Sequence, residues 1–425
     1  MVGRVAAEPS PDAGPAATVP TFAVVAGGGT AGHVLPALAV GRALVERGHR
    51  PASIHYVGSR RGLEALLVPE AGFEVTLLPG RGIERRLSRA NVEAVPALAV
   101  AMTRSLALIA RRRPNVVLSV GGYAGLPSAL AAAMLGVPLI VAESNAVPGA
   151  ANRVASRFAA ACAVAFEGTA LPRAVVTGNP VRPEVRVVDR SSAARRAARA
   201  ELGLPLERRV VAVFGGSLGA LRINEATLAM AASWAGRQDR CVYHVVGRRD
   251  WPEMSSRASA LRVEHEGYRA VEYEDRMPTL FAAADLAVCR AGATSVAELA
   301  VVGLPAVLVP LPGAPGDHQT ANARWLAGAG AAVCLSDDRC TGPQLADEVD
   351  RLLADPDRLE EMGCRARQVG RPRAAEDVAG LVERHARARP RRGGPPSGRG
   401  GLSRGGARGR GSRDQGPGGQ AGSGR

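Results

Sequence analysis

The sequence predicts an α/β fold in which two Rossmann-like, parallel-sheet domains face a central cleft. An apolar strand at 22–26 runs into glycines and then into a helical pattern at 35–47. The same order returns later, where a strand at 210–214 runs into Gly215-Gly216. Apolar runs of strand length alternate with helical patterns through both halves, as in chains of parallel βαβ units. Ligands bind such sheets beyond the carboxyl ends of their strands, so we expect a cleft there.

The first half contains three further predicted strands, at 54–57, 116–120 and 139–142. Each is an apolar run that ends in glycine or polar residues, which is typical of a buried parallel strand followed by a loop. Gly121-Gly122-Tyr123 follows the second of these strands, and Glu143-Ser144-Asn145 follows the third. We expect both tripeptides at one edge of the sheet, because the carboxyl ends of parallel strands meet there.

The second half repeats this plan with strands at 243–246, 286–289 and 307–309. A last helical pattern follows, although Gly370 and Pro372 interrupt it. We therefore predict a disordered N-terminus, two Rossmann-like domains, a helical segment and a disordered tail, with boundaries at 1–20, 21–182, 183–364, 365–388 and 389–425.

The composition fits a globular protein of a reducing compartment. The chain has 425 residues, of which 46% are hydrophobic, enough for two domain cores. Its six cysteines are scattered without a C-x-x-C pair, so we predict reduced core residues and no zinc site. The first twenty residues lack the apolar core of a secretory signal. The sequence contains no run of 18 or more uncharged apolar residues, so we predict no membrane-spanning helix.

The net charge of +15 is carried largely by the tail. Residues 389–425 hold nine arginines and one acid, Asp414, so the tail contributes +8 and the other 388 residues contribute +7. All 54 basic residues are arginine, which excludes Schiff-base and P-loop lysine chemistry. A Gly/Arg-rich tail can bind RNA, but its composition is also that of a disordered segment without a partner. We predict no dedicated nucleic-acid partner.

Gly27, Gly29 and Gly32 satisfy the G-x-G-x-x-G spacing of dinucleotide-binding folds. An NAD site would need an acidic residue after the next strand, but Gly58-Ser59-Arg60-Arg61 follows it. Arginines at that place suit the 2′-phosphate of NADP. An NADP site is therefore an open alternative for this loop.

The stretch from Cys289 to Glu298 combines the end of a predicted strand, small residues and a helix start. Such an order points unpaired backbone N–H groups and the positive end of the helix dipole at one spot, which suits a phosphate. Glu298 lies about one turn into the helix, where its carboxylate can accept hydrogen bonds from a ribose diol. Ser295 and Glu298 also fit an S-x-x-E capping box that touches no ligand, so two interpretations stay open.

Asp355-Pro356-Asp357 has the D-x-D spacing of metal-dependent glycosyltransferases. The segment precedes a helical run at 359–362, and Asp followed by Pro is a common helix start. We predict that Asp355 caps this helix and that no metal binds here.

Seven motifs of this chain stand in an order seen in one known family. They are Gly28-Gly29-Thr30-Ala31-Gly32-His33, Gly121-Gly122-Tyr123, Glu143 with Asn145, Gly178-Asn179-Pro180-Val181-Arg182, Gly215-Gly216-Ser217, the stretch ending at Glu298, and Asp317-His318-Gln319-Thr320-x-Asn322. Over roughly residues 22–385 the chain resembles the MurG family of bacterial glycosyltransferases, glycosyltransferase family 28. It departs from the family pattern at Ala142-Glu143-Ser144-Asn145, where His-Glu-Gln-Asn is usual, and at Leu218, where Gln is usual.

The resemblance implies the GT-B fold and a function in peptidoglycan synthesis. It implies inverting transfer of GlcNAc from UDP-GlcNAc to the muramoyl 4-hydroxyl of undecaprenyl-linked lipid I, giving lipid II. No metal and no cofactor are implied. The implied location is peripheral, on the cytoplasmic face of the bacterial cell membrane, with an anionic membrane surface as partner.

The resemblance also implies site residues at the matching positions. The donor-binding set comprises Thr30, Ala31, Gly32, Asn145, Arg182, Ser217, Glu274, Ala293, Thr294, Ser295, Val296, Ala297, Glu298, Gln319 and Asn322. The loops for the acceptor diphosphate comprise Gly28, Gly29, Gly121, Gly122 and Tyr123. Ser217 and Arg182 suit the diphosphate as hydrogen-bond donors, and the uracil is expected near Tyr273 and Glu274. Gln319 and Asn322 are one helical turn apart and suit sugar hydroxyls.

His33 is the candidate catalytic base. It is expected in the first turn of a helix, where the positive end of the dipole keeps an imidazole neutral and able to accept a proton. A structural role for His33 in the loop is the alternative, and Glu143 would then be the base.

The membrane-facing surface is predicted between Arg81 and Arg113. Arginines at 81, 85, 86, 89, 104 and 111–113 flank the apolar runs 95–101 and 106–110. Cationic residues around an apolar face suit an anionic bilayer surface. An ordinary core-facing helix is the alternative for 106–110.

Three rivals to the main interpretation stay open. One is a GT-B glycosyltransferase with another lipid or small-molecule acceptor. The second is a GT-B-fold UDP-GlcNAc 2-epimerase, and the third is a non-catalytic sugar-nucleotide-binding relative.

Overall fold

The computed structural model describes residues 19–29, 31–60, 62–79, 89–216, 219–264 and 267–388. Its first half contains β1 (Ala23–Gly28), α1 (Ala31–Glu46), β2 (Ile54–Ser59), α2 (Glu64–Glu70), β3 (Glu74–Leu78), α3 (Arg89–Arg112), β4 (Val116–Gly121), α4 (Gly122–Met134), β5 (Leu139–Glu143), α5 (Ala150–Ala155), β6 (Ala161–Val164) and β7 (Ala174–Val176). These strands form one sheet in the order β3-β2-β1-β4-β5-β6-β7, and their pairings are parallel.

The second half contains α6 (Pro183–Arg186), α7 (Ser192–Glu201), β8 (Arg209–Phe214), α8 (Leu221–Ser233), β9 (Arg240–Val245), α9 (Trp251–Glu264), β10 (Tyr268–Val271), α10 (Met277–Ala283), β11 (Leu286–Cys289), α11 (Ala293–Val302), β12 (Ala306–Leu308), α12 (His318–Gly328), β13 (Ala332–Cys334), α13 (Gly342–Leu353), α14 (Pro356–Val369) and α15 (Ala374–His385). Its strands form a parallel sheet in the order β10-β9-β8-β11-β12-β13. The predicted fold of two facing parallel-sheet halves is confirmed.

The strands that the sequence marks most clearly are the buried ones. Every residue of β1 and β4 is buried, because helices cover both faces of the sheet. Two of the strands that the sequence did not predict, β3 and β7, have partly or fully exposed residues. Their patterns are mixed because they lie at the edges of the sheet, where one flank has no neighbouring strand.

The last two helices belong to different halves. Helix α14 packs against α11, whereas α15 packs against α1 of the first half. Val378 and Leu381 of α15 are buried in the same core as Ala23 of β1. The predicted interruption at Gly370 and Pro372 is confirmed, since α14 ends at Val369 and α15 begins at Ala374. Both helices lie on the cores and are not one separate helical segment.

Two predictions about side chains need qualification. Four cysteines are buried, but Cys334 and Cys364 are exposed, so the prediction that all six are core residues is wrong for these two. In helix α3, Ile109 is buried in a core of the first half, and Leu106 and Leu108 pack against that core. This arrangement supports the core-facing alternative for 106–110. Arginines 81, 85 and 86 of the predicted membrane-facing surface lie outside the described residues.

Candidate active site

The glycines after β1 and β4 bring two loops into direct contact. Gly28 pairs with Gly122 as an isolated parallel bridge, and a side chain at Gly122 would collide with the Gly28 carbonyl. Gly122 has φ of 74°, a left-handed conformation that favours glycine. The predicted acceptor loops, including Gly29 and Gly121, therefore lie side by side at the carboxyl edge of the first sheet. Thr30 lies outside the described residues.

A buried carboxylate that sequence reasoning missed holds the first glycine loop. Glu64, at the start of α2, accepts a hydrogen bond from the Gly29 N–H. Burial raises the pKa of Glu64, although backbone hydrogen bonds oppose this. Glu64 and Gly29 are 35 residues apart, and no local pattern signals their contact. The Gly29 N–H is therefore already occupied, and Arg61 of the NADP alternative lies outside the described residues.

His33 lies in the first turn of α1, as predicted, and is half-buried. Burial lowers the pKa of its imidazole below 6.5, against an opposing effect of the Glu143 carboxylate. His318, at the start of α12 in the second half, lowers the pKa of His33 further. The fold thus brings His33, Glu143 and His318 into one electrostatic environment, in which a neutral His33 is favoured at pH 7. His318 belongs to the motif at 317–322, but its sequence context does not indicate this effect on His33.

Glu143 ends β5 with both carboxylate oxygens occupied. Oε1 accepts from the backbone N–H of Asn145 at 2.9 Å and from its Nδ2 at 3.2 Å. Oε2 accepts from the Gly149 N–H at 3.0 Å and from Asn152 Nδ2 at 2.9 Å. Four donors use the lone pairs that a base would need. This geometry suits a residue that holds the loop 143–152 in place.

Asn145 and Asn322 join the two halves across the cleft. Asn322 Nδ2 donates to Asn145 Oδ1 at 3.1 Å, and Asn322 Oδ1 accepts from the Ala146 N–H at 2.9 Å. Asn322 Nδ2 also donates to the Ala291 carbonyl at 3.2 Å, and the residue is fully buried. Gln319, one turn earlier, accepts from the Leu311 N–H at 3.0 Å. Both amides are therefore engaged in contacts within the protein.

Helix α11 begins with a nest of small residues. Its N-cap is Gly292, without a side-chain capping bond, so Ser295 is the third helical residue and the capping-box interpretation of Ser295 and Glu298 is wrong. The Thr294 hydroxyl is buried and has no hydrogen-bond partner within the described part of the chain. Unpaired N–H groups and a free hydroxyl at a helix start suit an anionic group. The first turns of this helix also contain three other residues of the predicted donor-binding set, Ala293, Val296 and Ala297.

Glu298 faces Arg182 of the other half. Arg182 Nε donates to Glu298 Oε1 at 2.9 Å, and the Glu298 side chain is 6% exposed. Burial raises the pKa of Glu298, and Arg182 opposes that effect. The contacts of Arg182 within the described chain use Nε, which leaves its two terminal nitrogens to donate to a ligand.

Two further predicted residues, Tyr123 and Glu274, have contacts within the protein. Tyr123 donates its hydroxyl hydrogen to the Pro79 carbonyl at 2.9 Å. The Glu274 carboxylate accepts hydrogen bonds from the Tyr243 hydroxyl and from the Arg276 N–H. Its side chain is therefore engaged within the protein and is not available to the uracil of the donor. Gly32 lies in the first turn of α1 with Ala31, whereas Ser217 and Leu218 lie outside the described residues.

Ala142 and Glu143 both line a small cavity. The cavity has a volume of about 10 Å³ and is lined in part by Thr177 and Asn179. Neither side-chain polar atom of Asn179 has a hydrogen-bond partner within the described chain, although the residue is buried. The departure from the family pattern at Ala142 thus coincides with an unsatisfied buried amide.

The D-x-D segment is a helix cap, as predicted. Asp355 is the N-cap of α14 and accepts from the Arg358 N–H at 3.0 Å, with Pro356 as the first helical residue. Among the described residues, no group of three or more His, Cys, Asp or Glu side chains is arranged to hold a metal ion. Within the same residues, no helix is long and apolar enough to cross a bilayer.

Two parallel sheets whose strands end at a common cleft define a protein of the GT-B fold. The chain belongs to glycosyltransferase family 28: the N-terminal domain of that family matches residues 23–164 and the C-terminal domain matches residues 210–378. The resemblance read from the sequence is confirmed.

Named relatives match over nearly their whole length. The "UDP-N-acetylglucosamine--N-acetylmuramyl-(pentapeptide) pyrophosphoryl-undecaprenol N-acetylglucosamine transferase" of Acidothermus cellulolyticus is 44% identical over 368 residues, which is 86% of this chain and 98% of the relative. The transferase of the same name from Desulforudis audaxviator is 38% identical over 371 residues, which is 85% of this chain and 98% of the relative. The crystal structure of Acinetobacter baumannii MurG is 28% identical with a TM-score of 0.67, and the match covers 86% of this chain and 100% of that one.

Proposed function

We propose that this chain transfers GlcNAc from UDP-GlcNAc to the muramoyl 4-hydroxyl of undecaprenyl-linked lipid I, giving lipid II for peptidoglycan synthesis. The printed names of relatives that match over 98% of their length support this donor and this acceptor. The observation that carries the proposal is the pairing of Arg182 with Glu298 across the cleft between the two halves. His33 of the first half interacts electrostatically with Glu143 and with His318 of the second half, and burial favours its neutral form. Sugar transfer needs a general base for the acceptor hydroxyl and a site that binds the nucleotide of the donor.

The donor is held mainly by the second half, and Arg182 of the first half contributes to the same site. The backbone N–H groups at the start of α11 and the Thr294 hydroxyl donate to the diphosphate, and the terminal nitrogens of Arg182 add positive charge. Glu298 accepts from the ribose hydroxyls through the oxygen that Arg182 does not engage. Stabilised in this way, UDP is the better leaving group.

The acceptor is held by the first half, with its diphosphate at the paired loops of Gly28 and Gly122. The 4-hydroxyl attacks the anomeric carbon from the face opposite UDP, which inverts that centre. His33 removes the hydroxyl proton as the new bond forms. Glu143 holds the loop carrying Asn145 and acts as a positioning residue.

We also propose that residues 21–182 form the acceptor-binding domain and residues 183–364 the donor-binding domain. The protein would then work peripherally at an anionic bilayer on the cytoplasmic face, where a lipid-linked acceptor is presented. The exposed Val100 of α3, beside Arg104, supports this orientation of the first half.

Incubation with UDP-GlcNAc, with and without lipid I, tests the proposal. We expect UDP release and lipid II formation that depend on lipid I. Formation of UDP-ManNAc without acceptor would identify an epimerase, and donor binding without turnover would identify a non-catalytic relative. Transfer to other lipid or small-molecule acceptors in preference to lipid I would redirect the acceptor assignment.

A further inference from the structure

A second polar cavity lies at the end of the second sheet that faces away from the cleft. Arg209 begins β8 and Asp285 directly precedes β11, and both residues line this cavity. The candidate active site lies beyond the opposite ends of the same strands, which are Phe214 and Cys289. A strand of six residues spans about 20 Å, so the two sites are separate. The cavity has a volume of about 580 Å³, within the range of small-molecule sites.

Positive charge is in excess around this cavity. Six arginines line it, against the three carboxylates of Glu207, Asp285 and Glu360. The six are Arg190, Arg195, Arg196, Arg199, Arg209 and Arg367. Like charges gathered in a hollow repel one another, and only part of this charge is compensated by the acids present.

One part of the cluster is a structural ion network. The buried Asp285 accepts from Arg195 Nη1 at 2.5 Å and from Arg199 Nη2 at 2.7 Å. Arg199 also donates to the carbonyls of Ala283 and Leu206, so its three nitrogens are engaged. If the cluster served only to hold these elements together, all of its arginines would be paired in this way.

Other donors in the cluster are not used by the described chain. Arg195 Nε is buried and has no hydrogen-bond partner within the described residues. Arg190 donates only from Nη1 there, to the carbonyls that end α10, and burial and the neighbouring Arg195 lower its pKa to about 9. Arg367 contacts the Cys364 sulfur at 3.3 Å. These guanidinium groups come from the segment before α7, from α7 and from α14.

We infer that this cavity binds a phosphorylated anion through Arg190, Arg195 and Arg367. Guanidinium groups match phosphate oxygens in a bidentate manner, and a phosphate or diphosphate group would compensate the excess charge. Ser191 and Ser192 at the start of α7 line the same cavity; Ser191 caps this helix and donates to Asp189, so the arginines are the groups that would bind the anion. A soluble phosphate ester and a phospholipid headgroup share this chemistry, and the experiment separates them.

The test uses the full-length protein and inorganic pyrophosphate in calorimetry, with saturating UDP present to occupy the nucleotide cleft. We expect pyrophosphate binding that Arg195→Gln and Arg367→Gln each weaken about tenfold, the loss of one charge-assisted hydrogen bond. Arg257→Gln, an exposed arginine on α9 outside the cavity, is the control with the same charge change and should bind as the wild type does. In Arg195→Gln, Asp285 still has Arg199 as its ion-pair partner, so we expect this variant to fold. If it does not fold, Arg367→Gln, on the exposed face of α14, tests the inference alone.

Cosedimentation with phosphatidylglycerol and phosphatidylcholine vesicles distinguishes the source of the phosphate. Binding to phosphatidylglycerol that falls in Arg195→Gln, and not in Arg257→Gln, assigns a lipid headgroup. Pyrophosphate binding that depends on Arg195 with unchanged vesicle binding assigns a soluble ligand. The inference is overturned if neither probe distinguishes the cavity variants from Arg257→Gln.

Discussion

Arg182, at the end of the first half, donates from Nε to Oε1 of Glu298 on α11, at 2.9 Å across the cleft. The two residues are 116 positions apart, and each belongs to a different motif. Their pairing means that the candidate nucleotide site is assembled from both halves. A substitution of either residue therefore removes the ion-pair partner of the other.

We expect Glu298→Ala to weaken UDP-GlcNAc binding by roughly 10- to 100-fold, which corresponds to the loss of about 1.5–3 kcal/mol from a charge-assisted contact. Helix α11 should stay folded, because its N-cap is Gly292 and Glu298 caps nothing. Calorimetry gives the affinity, and circular dichroism gives the helix content and melting temperature. Unchanged affinity with a lowered melting temperature would assign Glu298 to stability alone.

We expect His33→Ala to lower kcat by roughly 10²- to 10⁴-fold with little change in UDP-GlcNAc affinity, because the base is lost while the donor is held mainly by the second half. Burial lowers the pKa of His33, so the basic form is present at neutral pH and is lost only as the pH falls through that lowered value. The acidic limb of the rate profile should vanish in the variant.

The control for this prediction is His318→Ala, which should keep turnover and move the acidic limb to higher pH, because His318 lowers the pKa of His33. If His33→Ala raises the acceptor KM and leaves kcat intact, His33 binds or shapes the loop and is not the base.

Glu143→Gln should destabilise the protein by roughly 2–4 kcal/mol, since an amide group cannot accept from all four donors now on the carboxylate. The acidic limb should also move to lower pH, because Glu143 raises the pKa of His33. Denaturant titration and rate profiles measure both effects. The exposed Glu167→Gln is the matched control. Loss of kcat and of the acidic limb with unchanged stability would make Glu143 the base.

Asp355→Ala should lower the free energy of unfolding by about 1 kcal/mol through loss of the N-cap of α14. Asp357→Ala removes a charge from the same turn without removing the cap and should cost less. Neither change should alter turnover. Chelator-sensitive activity that is abolished by Asp355→Ala would instead indicate a metal site.

Deletion of residues 390–425, which lie outside the described structure, should leave turnover of a soluble acceptor analogue unchanged. A Gly/Arg-rich segment has too few apolar residues to form part of a packed cleft. Affinity for anionic vesicles should fall by roughly 1 kcal/mol for each arginine near the surface. A large loss of turnover in solution would contradict this prediction.

Local patterns in the sequence were enough for the repeated strand, glycine turn and helix of each half. The Asp355 cap was equally predictable, because it depends on residues only three positions apart. Burial of β1 and β4 on both faces makes them continuous apolar runs, whereas the edge strand β3 carries mixed residues and escaped prediction. The family motifs predict the candidate site residues by resemblance, without their contacts.

The contacts within the site were decided by the tertiary structure. Glu64 reaches Gly29 over 35 positions, Asn322 reaches Asn145 over 177, and α15 crosses back to the first half. Such pairs depend on which loops the two sheets bring to the same edge, and no period or spacing along the chain encodes that. The sequence by itself determined the two sheets and the residue types at their carboxyl ends. The fold decided which of those residues are engaged with one another, because a hydrogen bond between distant residues exists only once the intervening chain has packed.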